Sequence, residues 1–203
     1  MFADMTHWEE IYQSKGVNDV SWFEGEPVTS LRLIDAWAGP PGPAVDVGAG
    51  RSNLAMRLLE RGWHPVVALD LSAAALAHVA EGSPVGTDLH CVVTDILDWQ
   101  PDVQVALWHD RAVFHFLTNP QSRADYVSLA TRTVRPAGTL VLGCFAIDGP
   151  AQCSGLDVCR YSASDLAALF SGGFTLCASE QQVHRTPWGA TQAFTWVVLR
   201  RHG

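Results

Sequence analysis

From Ala44 onward the chain alternates between short continuous apolar runs and longer stretches in which apolar residues recur every three or four positions. "AVDV", Ala44–Val47, is short and apolar enough for a buried strand. "NLAMRLLERG" places apolar residues at Leu54, Met56, Leu58 and Leu59, and predicts a helix that ends at Gly62. "PVVALD", Pro65–Asp70, predicts a second strand. Ser72 then caps "AAALAHVAEG", a helix ending near Gly82. "LHCVVTD" and "VQVALWHD" predict a third and a fourth strand. Asn119 before Pro120 is a cap followed by a proline in the first turn, and that helix runs to about Arg135. "GTLVLGCFA" is a fifth strand and "SASDLAALF" a capped helix. "FTLCASEQQVHR" and "TQAFTWVVLRR" are two long strands joined as a hairpin across "TPWGA".

Strand–helix alternation closed by a hairpin predicts an α/β fold: a mostly parallel sheet with helices on both faces and one antiparallel edge. Ligands of such sheets bind outside the carboxyl ends of the strands. "GPPGPA", Gly39–Ala44, breaks the chain into an N-terminal segment, 1–43, and a core, 44–203. A length of 203 residues suits one domain, and 48% hydrophobic against 17% charged residues leaves little room for long disorder.

The net charge is -8 and no basic run is present, which disfavours a nucleic-acid partner. "MFADMTHWEEIYQSK" has neither a basic nor an apolar leader segment, and no apolar run is long enough to span a membrane. Five cysteines, Cys91, Cys144, Cys153, Cys159 and Cys177, form no CxxC pair and no zinc spacing. Their odd number fits free thiols in a reducing compartment, so a cytoplasmic protein is expected. The histidines show no ligand spacing, and no metal is expected.

The strand ends carry the chemistry. The first ends in Asp46-Val47-Gly48-Ala49-Gly50, and glycines let the backbone turn and approach a ligand closely. The second ends in Asp70, about twenty residues on, with Leu71 after it; a carboxylate there can accept both hydroxyls of a ribose. The third ends in Asp95 and Ile96, suited to an adenine amino group and ring. The turn "GAGRSN" has Asn53 where a dinucleotide-binding turn has its third glycine, and Asp46 would repel a pyrophosphate. The same acid suits an ammonium group. A ribose, an adenine and a cationic amino-acid tail without phosphate describe S-adenosylmethionine. For the two glycines alone, a tight strand-to-helix turn explains as much; Asp70 and Asp95 at successive strand ends favour the ligand.

With these motifs in order, "DVGAG", "ALDLS", "TDI" and "VRPAGTLVL", the sequence resembles the class I S-adenosylmethionine-dependent methyltransferases over about Ala44 to Phe145. The resemblance implies a single Rossmann-like domain over 1–203, with a seven-stranded sheet whose last strand is antiparallel and with residues 1–43 as a lid. Ala137 stands where the family's turn before the fifth strand usually has glycine. "HWEEIYQSKGVNDVSWFE", "DRAVFHFL", "CSGLDVCRYSASDL" and "HRTPWGATQAFTW" further resemble a subfamily that includes the citrate synthase lysine methyltransferase and bacterial relatives of unassigned substrate.

Methyl transfer from a sulfonium needs an aligned nucleophile and little water. At the end of the fourth strand, Asp110 is expected to face the methyl group and orient the acceptor, or to form an ion pair with Arg111. Arg111 is a substrate candidate. His115 is a candidate base, or a packed core histidine. Tyr12 and Trp22 are expected near the donor and Trp8 in the core. The loop Asp148–Tyr161 overlies the functional edge, with Cys153 in it and Arg160 as a candidate for an acidic substrate group or a structural tie. His184 and Trp188 flank the hairpin turn, His184 as a substrate contact. The acceptor is a small molecule or a protein lysine, and a monomer is expected. A module that binds the donor without catalysis, or a nicotinamide-dependent oxidoreductase, are the competing readings.

Overall fold

A computed structural model of the protein describes residues 5–203. Residues 1–4, the beginning of the stretch read as lacking a leader, lie outside the described residues. Helices α1 (Met5–Ser14) and α2 (Val28–Trp37) precede the sheet. Then come β1 (Ala44–Val47), α3 (Leu54–Glu60), β2 (Val66–Asp70), α4 (Ala73–Glu81), β3 (Leu89–Val93), β4 (Val105–Arg111), α5 (Pro120–Thr133) and β5 (Val134–Phe145). A small hairpin, β6 (Gln152–Cys153) and β7 (Leu156–Asp157), leads to α6 (Ala163–Phe170), β8 (Phe174–Arg185) and β9 (Thr191–Arg201).

Seven strands form one sheet in the order β3-β2-β1-β4-β5-β9-β8. β1 to β5 run parallel, and β9 is antiparallel to both β5 and β8. The antiparallel strand is last in the chain, as expected, but it is not the edge of the sheet. β9 is buried on both faces through Phe194, Trp196, Val197, Val198 and Leu199, whereas β8 is exposed at many positions. A strand apolar on both sides belongs inside a sheet, and an alternating one can sit at its edge.

Local sequence fixes the helix starts. The Ser72 hydroxyl accepts from the Ala75 N–H at 3.1 Å, Asn119 accepts from the Gln121 N–H at 2.8 Å with Pro120 following, and Ser162 forms a reciprocal capping box with Asp165. Each face of the sheet carries an apolar core. Val45, Val47, Trp108, Leu140 and Leu142 point to one, and Ala44, Leu107, Val141 and Trp196 to the other. This alternation decides which side chains at the strand ends can meet a ligand.

Candidate active site

A cleft opens at the carboxyl ends of β1, β2, β3 and β4, roofed by α1 and the segment between α1 and α2. Asp46, Gly48, Gly50, Asp70, Leu71, Asp95 and Ile96 all line it, so the acids foreseen at three strand ends meet in one place. Gly48 and Gly50 have φ of +64° and +54°. A Cβ on Gly48 would overlap Val113 Cγ2, and one on Gly50 would lie 2.6 Å from the Tyr12 hydroxyl. Here glycine is required both by conformation and by the close approach of two walls.

Asp70 is buried. Its two oxygens accept from the Gly50 N–H at 2.8 Å and the Ser72 N–H at 2.9 Å, which ties the glycine turn to the start of α4. Burial pushes its carboxyl up to about 6. A carboxylate has about four lone-pair positions, more than these two donors fill. Asp95 accepts from the Leu97 N–H at 2.8 Å, and burial raises its carboxyl as well.

The end of β4 differs from the sequence expectation. Asp110 is fully buried and does not line the cleft. It accepts from the Tyr126 hydroxyl at 2.5 Å and from the N–H groups of Val113 and Phe114 at 2.9 and 3.1 Å, while Trp108 Nε1 donates to Tyr126. Trp108 points to the core on one face of the sheet, and Asp110, two residues on, shares that face. Asp110 therefore holds the turn after β4 from inside the protein and pairs with Tyr126, not with Arg111. His115 is also fully buried, packed 4.6 Å from both Phe116 and Phe145, with Nδ1 accepting from the Phe145 N–H at 3.3 Å. Burial and the nearby Arg111 push it down to about 3, so it stays neutral in the core and is not a base for the cleft.

His109 and Arg111, on the opposite face of β4, line the cleft instead. His109 Nδ1 lies 2.7 Å from Asp46 Oδ1 and its Nε2 lies 2.9 Å from the Ser30 hydroxyl on α2. Asp46 Oδ2 has no hydrogen-bond partner. The sequence reading missed His109 and Ser30. The one signal available was strand alternation: His109 falls opposite Asp46 in the β1–β4 register.

Arg111 donates to the Trp22 carbonyl at 2.9 Å, lies 3.3 Å from Glu24 and stacks 5.1 Å from the Phe194 ring centre. Burial raises the Glu24 carboxyl, but His184 and Arg111 outweigh it and hold Glu24 below the usual carboxylate range. His184 is buried, with Nε2 2.7 Å from the Ser21 carbonyl oxygen. It does not line the cleft; it secures the roof. Arg160 is exposed, donates to the Gly149 carbonyl at 3.3 Å and is also away from the cleft. That contact ties the loop through a backbone carbonyl and not through an acidic side chain. Trp188 is 60% exposed at the hairpin tip.

Tyr12 and Trp22 line the cleft, and so does Trp8, which had been expected in the core. Trp8 packs edge-on against Trp22 at 5.6 Å and Phe116 at 5.2 Å, and Tyr12 meets Trp22 at 6.1 Å. The Asp148–Tyr161 loop contributes Cys153, whose thiol burial pushes up to about 11. Among the described residues, no group of three or more His, Cys, Asp or Glu side chains converges as a metal-ligand set.

Residues 44–138 match a family model described as a methyltransferase domain. No curated protein matches the chain. Solved structures are similar over most of its length. One, described as converting a disulfide bond into a thioacetal group during echinomycin biosynthesis, is 19% identical over 98% of this chain and 93% of its own, with a TM-score of 0.78. The N-methyltransferase NodS from Bradyrhizobium japonicum WM9, in complex with S-adenosylhomocysteine, is 14% identical over 96% and 98%, with a TM-score of 0.73. The 1,6-didemethyltoxoflavin-N1-methyltransferase of Burkholderia thailandensis, with 1,6-didemethyltoxoflavin and S-adenosylhomocysteine bound, is 22% identical over 87% and 78%, with a TM-score of 0.69. The sheet is thus the Rossmann-like fold of these proteins.

Proposed function

We propose, on the premise that residues 44–138 form a methyltransferase domain, that this enzyme transfers a methyl group from S-adenosylmethionine to a small-molecule nucleophile. The observation that carries the reading is Asp46: a cleft-lining carboxylate beside the glycine turn with one oxygen unpartnered. It suits a cationic tail and opposes a phosphate. The other residues fit the same donor. Asp70 would take the ribose, Asp95 and Ile96 the adenine, and the aromatic wall of Tyr12 and Trp22 the sulfonium end. The donor, when bound, supplies an activated methyl group for in-line displacement.

The chain's own part is positioning. The glycine turn leaves room, and the roof over the cleft keeps water out. Arg111, Trp8 and Phe116 form the side of the cleft next to the end of β4, where an acceptor would be held. Arg160 and His184 have no place in that list. The small-molecule acceptor is supported by the toxoflavin-type relative, which was solved with its small substrate bound. A protein lysine is the second acceptor reading, supported by the subfamily resemblance and by the net charge of -8, which would attract a basic surface.

Calorimetry should show binding of S-adenosylmethionine and S-adenosylhomocysteine and none of NAD; preference for NAD would reject the reading. A radiolabelled-methyl assay on host lysate, fractionated by size, should place the label among small molecules. Label confined to protein would select the lysine alternative.

A further inference from the structure

The Ser30–His109–Asp46 chain spans three elements, α2, β4 and β1, and all three residues line the cleft and are buried. A carboxylate is acceptor-only, so His109 must carry a proton on Nδ1 to bond Asp46 at 2.7 Å. In the neutral ring, Nε2 is then an acceptor and the Ser30 hydroxyl donates to it at 2.9 Å. Both ring nitrogens are occupied and the imidazole cannot turn. Asp46 Oδ1 is fixed in the same way, and only Oδ2 lacks a partner.

We infer that His109 and Ser30 are positioning residues that hold Asp46 with one oxygen free for the donor's ammonium group, so that recognition of the amino-acid tail depends on the Ser30–His109–Asp46 chain. This rests on the donor-binding reading above. The charged or titratable groups around the ring are Asp46 on β1, Glu24 in the roof, and Asp110 and Arg111 on β4. α2 contributes Ser30, and β9 contributes Trp196 at 6.2 Å.

The test compares two probes by calorimetry: S-adenosylhomocysteine, which has the tail, and 5′-methylthioadenosine, which lacks it. Both carry the ribose, so at a fixed pH their affinity ratio isolates the contribution of the tail. In the wild type this ratio should favour S-adenosylhomocysteine. His109→Phe should weaken S-adenosylhomocysteine about tenfold, the size of one lost charge-assisted contact, and leave 5′-methylthioadenosine unchanged. His109→Asn, whose amide can replace the Nδ1 donor, should retain S-adenosylhomocysteine binding within about threefold and so rescue the loss seen with phenylalanine. Ser30→Ala, should the phenylalanine variant fail to fold, should lower the ratio in the same direction. Equal loss of both probes in the variants, or a ratio unaffected by them, overturns the relay. A wild type that binds neither probe instead overturns the donor reading beneath it.

Discussion

Asp110→Ala separates a core role from a ligand role. The substitution leaves three buried donors without their acceptor: the Tyr126 hydroxyl and the N–H groups of Val113 and Phe114. At about 1–2 kcal/mol each, the loss is roughly 3–6 kcal/mol against the neutral carboxylic acid. The ionised form is less favourable, because burial pushes Asp110 from 3.8 up to about 6. A folded-state value above the unfolded one means the native protein binds the extra proton, so wild-type stability from this group falls as pH rises from about 4 to 6. That penalty is a few kcal/mol at most and is smaller at pH 5 than at pH 8. Removing the carboxyl relieves it, so the variant should be destabilised by roughly 2–4 kcal/mol at pH 5 and by less at pH 8. For a chain of this size the pH 5 loss lowers the melting temperature by about 4–16 °C. The assay is thermal and urea unfolding at both pH values, with S-adenosylhomocysteine calorimetry well below the melting point, where affinity should stay within about threefold of wild type. A variant that melts like wild type but no longer binds the nucleoside would refute this placement of Asp110. A loss larger at pH 8 than at pH 5 would refute the sign of its shift.

Gly48→Ala should lose donor binding in calorimetry and about 2 kcal/mol of stability in urea, since the left-handed conformation alone costs 1–2 kcal/mol and the new Cβ would overlap Val113; binding at wild-type affinity would show that the turn is not the donor's seat. Asp70→Ala should weaken S-adenosylhomocysteine by about 2–4 kcal/mol through lost ribose contacts. With Asp70 pushed up to about 6, wild-type nucleoside affinity should rise as pH increases through that value, which titration calorimetry between pH 5 and 8 can follow. Ala137, at φ +60°, pays for a conformation that glycine adopts freely, so Ala137→Gly should raise stability by about 0.5–1 kcal/mol in urea without changing nucleoside affinity.

The side of the cleft formed by the strand ends was legible because chain order alone brings successive strand ends to one edge of a parallel sheet. Asp46, Gly48, Gly50, Asp70, Leu71, Asp95 and Ile96 needed no knowledge of side-chain direction beyond that. Tyr12 and Trp22 were legible as an aromatic concentration, although the same density hid that Trp8 is a wall and not core. The end of β4 was not legible. "VQVALWHD" is apolar on both faces, so its periodicity does not say whether His109 or Asp110 faces the ligand, and a register shift between Val105 and Leu107 breaks the alternation upstream. Only the pairing of His109 with Asp46 across β1 and β4 settles the face. His184 was misplaced for a related reason: its neighbour in space is Ser21, 163 residues away in sequence.

The roof is held by the walls it covers, and this explains why so many charged groups here are not free to do chemistry. Arg51, inside the glycine turn, donates to the carbonyls of Tyr12 and Lys15. Arg111 holds the Trp22 carbonyl and Glu24, and His184 holds the Ser21 carbonyl. Glu9 on α1 accepts from the Ser72 hydroxyl at 2.6 Å and the Ala74 N–H at 3.2 Å, at the start of α4. Each tie therefore begins or ends on the glycine turn, on the end of β4, on the α4 start that Asp70 also bonds, or on the hairpin that packs against Arg111. Moving the roof means breaking bonds to the same elements that line the cleft. Arg51 and Arg111 are tied to the roof in this way, while the carboxylates of Asp46, Asp70 and Asp95 line the base of the cleft.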